Sequence, residues 1–239
     1  MKTIRNYSGG ILYKTPDNVD IKKALERAII KGADLDHAAL EYTDLSGAKL
    51  NGIRSREINL VGATLIGADV RDSTLWGPIF VGANLRGADF SHSELPHADF
   101  SGADLRGAKF TGANLYKAKF TGANLGGSSF DGSNLSSADF QYAKIRKANL
   151  SNANIIFAGL EYADLSGSIF SGAIVSFDDE EEAAQYELDR VNSTHILPRK
   201  GWGIELRHES VDHRGDLRWP YLVVVAGRVE SSKMLEERG

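Results

Sequence analysis

The residue types best suited to chemistry cluster near the end of the chain, at His195, His208, Asp212, His213 and Asp216. His208 and His213, with the two aspartates beside them, are the kinds of side chain that hold zinc. Their order matches no established ligand signature, and His and Asp in a turn-rich loop are ordinarily just solvated. There is no Cys, so thiolate metal sites and disulfides are excluded. No phosphate-cradling loop and no nucleophile elbow is present. We therefore assign no catalytic residue, no cofactor and no metal, and expect a protein that is not an enzyme. A second set of residues is suited to binding. Arg86, Arg106 and Arg146 stand at multiples of twenty residues, with Lys144 and Lys147 beside the last. They form either a stripe for an acidic partner or a solvated face. Trp76 and Ile79 interrupt a polar stretch and offer apolar surface to a partner.

The element that must position these residues is a five-residue beat. From Leu35 to Val175 every fifth residue is Leu, Ile, Val or Phe, except Ser55. Two places before each centre the chain carries mostly Ala or Ser, and one place before it often Asp or Asn. Five fits neither the helical period of 3.6 nor the strand period of 2. A strict period of this kind marks a repeat architecture.

Segments such as Ala103-Asp104-Leu105-Arg106-Gly107, Ala113-Asn114-Leu115-Tyr116-Lys117 and Ala123-Asn124-Leu125-Gly126-Gly127 resemble the A(D/N)LXX unit of the pentapeptide-repeat family. The resemblance implies an all-β solenoid, a right-handed quadrilateral β-helix with one pentapeptide per side and four per coil. On that frame Phe80, Phe100, Phe120 and Phe140 stack on one side of the shaft and Phe90, Phe110, Phe130 and Phe170 on the opposite one. Seven coils spaced by roughly 4.8 Å give a rod about 34 Å long.

The same frame sorts the surface charges. The face centred on residues 45 to 165 carries Arg86, Arg106, Lys144, Arg146 and Lys147 against Asp44, Asp104 and Asp164, a net of +2. Its neighbour carries Glu41, Asp99, Asp139 and Glu161 against Lys119, a net of −3. The family includes proteins that resemble duplex DNA and bind type II topoisomerases, so DNA mimicry directed at gyrase is the alternative function. A duplex of that length carries about 20 phosphate charges, of which this rod is a poor copy. The beat stumbles at Ile53-Arg54-Ser55-Arg56-Glu57-Ile58 and at Trp76-Gly77-Pro78-Ile79-Phe80. These stumbles are either local bulges or a recognition feature.

Outside the beat, residues 1–32 read as a hairpin, Thr3 to Tyr7 and Ile11 to Lys14 around Ser8-Gly9-Gly10, followed by a helix over 19–31. Thr15 or Asp17 is its expected cap, and Ile21, Ala24, Leu25, Ala28 and Ile29 are its apolar face. We expect it to cap the first coil of the solenoid, 33–175. Residues 176–239 read as a small α+β appendage, with a helix over 183–191 and strands at 203–207 and 219–229. Neither the apolar runs nor the first residues predict a membrane span or a leader. The net charge of −4 over 239 residues is too small to announce nucleic acid or membrane. The expectation is a cytoplasmic protein–protein interaction module with an unidentified protein partner. It is either a monomer or an end-to-end dimer.

Overall fold

The computed structural model describes residues 2–15, 19–160 and 162–173, and the backbone of 174–176, 203–207 and 221–225. The five-residue beat folds as a solenoid with twenty residues per coil. The residue before each centre bridges in parallel to the residue twenty places on, as in Asp44 to Thr64, Lys49 to Asp69 and Asn59 to Ile79. Each side of the coil then uses its backbone in the same way. The amide of Leu45 donates to the Thr64 carbonyl at 2.7 Å and that of Gly47 to Ile66 at 2.9 Å, both one coil on. The corner closes when the Ala48 amide donates to the Leu45 carbonyl at 2.9 Å.

Each position of the pentapeptide has a physical reason. The centres and the small residues two places before them fill the shaft and are buried from Leu35 to Phe140 almost without exception. The Asp or Asn before the centre folds back on its own corner. Asp44, Asp89, Asn134 and Asn149 accept the amide two residues on at 2.9 to 3.1 Å. This local bond is why short polar side chains recur there. The residue two places after the centre has positive φ, as at Gly47 and Gly107, a conformation glycine adopts without steric cost.

Inside the shaft the phenylalanines form two ladders. Phe80, Phe100, Phe120 and Phe140 stack at 4.8 to 5.1 Å, as do Phe90, Phe110 and Phe130 at 5.0 to 5.1 Å. Rings of opposite ladders meet edge to face at 5.5 to 6.1 Å, the arrangement the aromatic quadrupole favours.

Two strands, β1 (Lys2–Arg5) and β2 (Ile11–Thr15), form an antiparallel hairpin ahead of the helix α1 (Ile21–Ile30). The N-cap is Asp20, rather than Thr15 or Asp17, because its carboxylate accepts the Lys23 amide at 2.7 Å. Thr15 instead ends β2. The helix stops at Gly32, where φ is +64°. Both elements lie against the first coil and meet amides that have no preceding coil. The Ala39 amide donates to the Arg5 carbonyl at 2.7 Å, and that of Lys49 to the Glu26 carboxylate at 2.9 Å.

Two three-residue strands, β3 (Arg54–Arg56) and β4 (Thr74–Trp76), pair in parallel with the usual offset of twenty. The stumbles in the beat are thus not bulges, since the register runs straight through them. Ile53 is buried where other coils carry Ala or Ser, and the Ser55 hydroxyl donates to the Leu35 carbonyl at 2.6 Å, so the bulk sits two residues earlier in the chain. At the far end β5 (Ile174–Ser176) pairs antiparallel with β7 (Tyr221–Val225), which pairs in turn with β6 (Gly203–Arg207). The expected helix over 183–191 lies outside the described residues.

Candidate functional site

One face differs from the other three, the one centred on Leu35, Ser55, Leu75, Leu95, Leu115, Leu135 and Ile155. At its positive-φ corner position it carries His37, Glu57, Gly77, His97, Lys117, Ser137 and Phe157. On the face centred on Leu45 the same position is glycine everywhere except Lys147, and the remaining two faces carry three side chains each there, Tyr42, Tyr142 and Tyr162 on one and Asp72, His92 and Asn152 on the other. A side chain in this conformation costs roughly 1–2 kcal/mol. Strain of this kind concentrates where side chains are needed.

This face also holds both stumbles. At most corners the backbone closes on the centre's carbonyl, but Pro78 has no amide to donate, and the Ile58 amide makes no such bond to Ser55. On two successive coils the chain instead runs as a strand up to this corner, β3 and β4, before Glu57 and Gly77 turn it at positive φ. The result is an open groove of about 460 Å³ lined by Arg56, Glu57, Trp76, Gly77 and His97. Trp76 is 55% exposed and stacks on His97 at 6.3 Å, and His97 meets Tyr116 edge to face at 5.8 Å. Pro96, which is buried, occupies the coil between Trp76 and Tyr116 in the same column. Lys117 Nζ sits 5.1 Å from the Tyr116 ring centre. Below the groove the Tyr7 hydroxyl lies 2.8 Å from His37 Nδ1 and donates to Glu57 at 3.5 Å, which joins the hairpin to this face.

Of the residues expected to bind, Trp76 is at the groove. Ile79 is half-buried rather than exposed, in the column between Asn59 and Asp99. The arginine column lies on a different face. Arg106 grips Asp104 with two hydrogen bonds of 2.5 and 2.8 Å, and Arg146 is paired with Asp164. These bonds hold the Asp104 carboxyl below the usual carboxylate range, through Arg106, and bring Asp164 down to about 2, through the Ser166 hydroxyl first and Arg146 second. Gly126 breaks the column between them. Arg86 lies close enough to Asp104 to help hold its carboxyl down, and Lys144 and Lys147 are exposed. His195, His208, Asp212, His213 and Asp216 lie outside the described residues. Among the described residues no group of His, Asp and Glu is placed to hold a metal, and no helix is long and apolar enough to cross a membrane.

Arg56, Glu57 and Gly77 lie in the two stretches where the beat stumbles, whereas His97, Tyr116 and Lys117 were not expected at a site. Their signal was a column of side chains where the other faces favour glycine.

The pentapeptide-repeats family matches in 8 copies over residues 40–77, 83–122, 113–152 and 133–172, together more than half of the chain. The chain belongs to the pentapeptide-repeat family. Among solved structures it is similar to a trypsin-treated variant of QnrB1, a plasmid-mediated fluoroquinolone resistance protein. The identity is 21% and the TM-score 0.51, over 69% of this chain and 84% of that one. It is also similar to HetL, a pentapeptide-repeat protein involved in heterocyst differentiation regulation in a Nostoc cyanobacterium, at 22% identity and a TM-score of 0.25 over 66% and 98%. A pentapeptide-repeat protein from a Cyanothece cyanobacterium matches at 16% identity and a TM-score of 0.30 over 63% and 95%. No curated protein matches the sequence. The QnrB1 similarity supports the solenoid fold of this pentapeptide-repeat chain.

Proposed function

We propose that this chain is a non-enzymatic, rigid rod for protein–protein interaction, with the groove at Trp76 and Gly77 as its contact surface. The supporting observation is the coincidence, on one face, of side chains held at strained corners, two opened corners and an exposed aromatic cluster. A filled shaft leaves no interior space where titratable groups could converge on a substrate. Exposed Trp and Tyr beside Arg are the residue types that dominate interface energies.

The test is affinity capture from a lysate of the source organism, followed by binding of the purified candidate. The full chain should retain a partner that a Trp76→Ala, His97→Ala double variant loses. A partner retained by the double variant but lost on removal of 177–239 would move the contact surface to the appendage.

DNA mimicry toward a type II topoisomerase is the second reading, favoured by the solenoid fold shared with QnrB1. Bidentate Asp–Arg pairs along the rod count against it, since they cancel the negative charge that such a copy requires. Gyrase supercoiling and its inhibition by quinolones, both unchanged by the purified protein, would remove it.

A further inference from the structure

We infer that the groove receives an acidic segment of a partner protein, which lays an aromatic side chain on Trp76 while a carboxylate pairs with Arg56. This rests on the protein-interaction reading above and adds the chemistry of the partner. The space comes from Gly77, the one glycine in its column, with Glu57 and His97 standing one coil to either side. A Cβ built on Gly77 would meet only Glu57 Cγ, at 3.8 Å, so the notch is open above it. Its wall is Trp76, whose exposed ring surface gives a partner ring a surface to stack on.

The charge of the occupant follows from which groups are already satisfied. Each acid around the groove has a partner. Asp36 accepts the Arg56 amide at 2.6 Å, Glu57 accepts from Tyr7, and Glu94 accepts the Asn114 side-chain amide at 2.7 Å. The cations do not. Among the described residues neither the Arg54 nor the Arg56 side chain has a hydrogen bond or an ion pair, and Lys117 only covers its neighbour's ring. Elsewhere on the rod Arg71, Arg106 and Arg146 are each held by an aspartate. The unused hydrogen-bond donors at the groove are therefore cationic, although Glu57 lines it too and keeps its charge, and a planar guanidinium beside an aromatic wall suits a carboxylate flanking a ring.

The experiment titrates the full chain into a fluorescein-labelled, glutamate-rich peptide with one central phenylalanine and reads anisotropy. Two comparison peptides replace phenylalanine by glycine, or each glutamate by lysine. Saturable binding is expected for the first peptide, weakened about thirtyfold by Trp76→Ala or by the glycine replacement, as for an interface hot spot. Arg56→Glu should abolish that binding and bring in the lysine peptide, while Arg86→Glu on another face leaves it unchanged. Both groove side chains are exposed, so an unaltered melting temperature will show that the variants fold. Absence of saturable binding at millimolar protein, equal binding of the lysine peptide to the wild type, or indifference to Arg56→Glu would overturn the inference. If the peptides fail while Trp76-dependent capture of a partner persists, the acidic, aromatic partner is wrong and the interaction face stands. If both fail, the face falls with it.

Discussion

Exchanging serine and glycine at two corners tests the reasoning that singles out the groove face. Ser137 lies on that face with φ at +57°, and Gly127 lies on the face centred on Leu45 with φ at +68°. A Cβ at Gly127 would meet nothing within 4 Å, and the Ser137 side chain has no hydrogen bond among the described residues. Each exchange therefore alters backbone preference and almost nothing else. Placing an L side chain in the left-handed region costs about 1–2 kcal/mol, and removing a glycine from the unfolded chain returns about 0.5–1 kcal/mol. Gly127→Ser should thus destabilise by about 1 kcal/mol, and Ser137→Gly should stabilise by about the same amount. Urea unfolding followed by circular dichroism reads both as shifts of the midpoint at constant slope. At this rate the six non-glycine corners of the groove face, His37, Glu57, His97, Lys117, Ser137 and Phe157, cost about 6 kcal/mol together. That is a large part of the roughly 5–15 kcal/mol that stabilises a domain, and selection would not keep it without a use for the side chains. If Ser137→Gly fails to stabilise, or both exchanges move stability in the same direction, the face is not strained and this reason for calling it functional is lost.

Three further outcomes follow from the structure. Phe110→Ala should cost about 4–5 kcal/mol, because its ring is fully buried between Phe90 and Phe130 and edge-on to Phe100 and Phe120. Phe170→Ala should cost less in the same urea titration, because Leu150 lies one coil below it and no phenylalanine stacks there. Asp164 has a folded pKa of about 2, below its ordinary value of 3.8. Its contribution to stability is therefore present above pH 4 and lost as the pH falls toward 2, and Asp164→Asn should flatten the unfolding midpoint across that window. A chain ending at residue 176 loses β7 and frees the edge of β5. Sedimentation should then show a dimer for the truncation and a monomer for the full chain, and a dimer in both would count against this role for β7.

The coil was legible because a strict beat leaves little freedom. The spacing, on the twenty-residue coil that the family resemblance implies, places Phe80 over Phe100 and opposite Phe90. The start of α1 was misread because Thr15-Pro16-Asp17 carries every ordinary start signal, yet the stretch Ile11–Thr15 belongs to β2 and it is Asp20 that accepts an amide of the first turn. The groove was half legible. Trp76 and the irregular pentapeptides stood out, but whether they meant a bulge or an opened corner depended on hydrogen bonds that sequence spacing does not carry. Pro78 held the decisive hint, since a residue without an amide cannot close its corner. The apparent basic stripe misled for a related reason. Column spacing shows which cations share a face, whereas the aspartate two residues before Arg106 and the one a coil beyond Arg146 decide whether those cations are free.

The placement of acids and bases also bears on how such a rod finds a partner. Asp69 with Arg71, Asp104 with Arg106 and Asp164 with Arg146 are short-range pairs on an exposed surface. Their fields largely cancel beyond a Debye length, about 8 Å at physiological salt. A partner attracted by the long-range field of a DNA-like column would meet little of it here. What survives at short range is local: Arg54 and Arg56, whose side chains pair with no acid among the described residues, close to Trp76 and Gly77. A surface built this way selects by contact rather than by steering. Its association rate should depend only weakly on salt, and groove variants should act mainly by shortening the life of the complex.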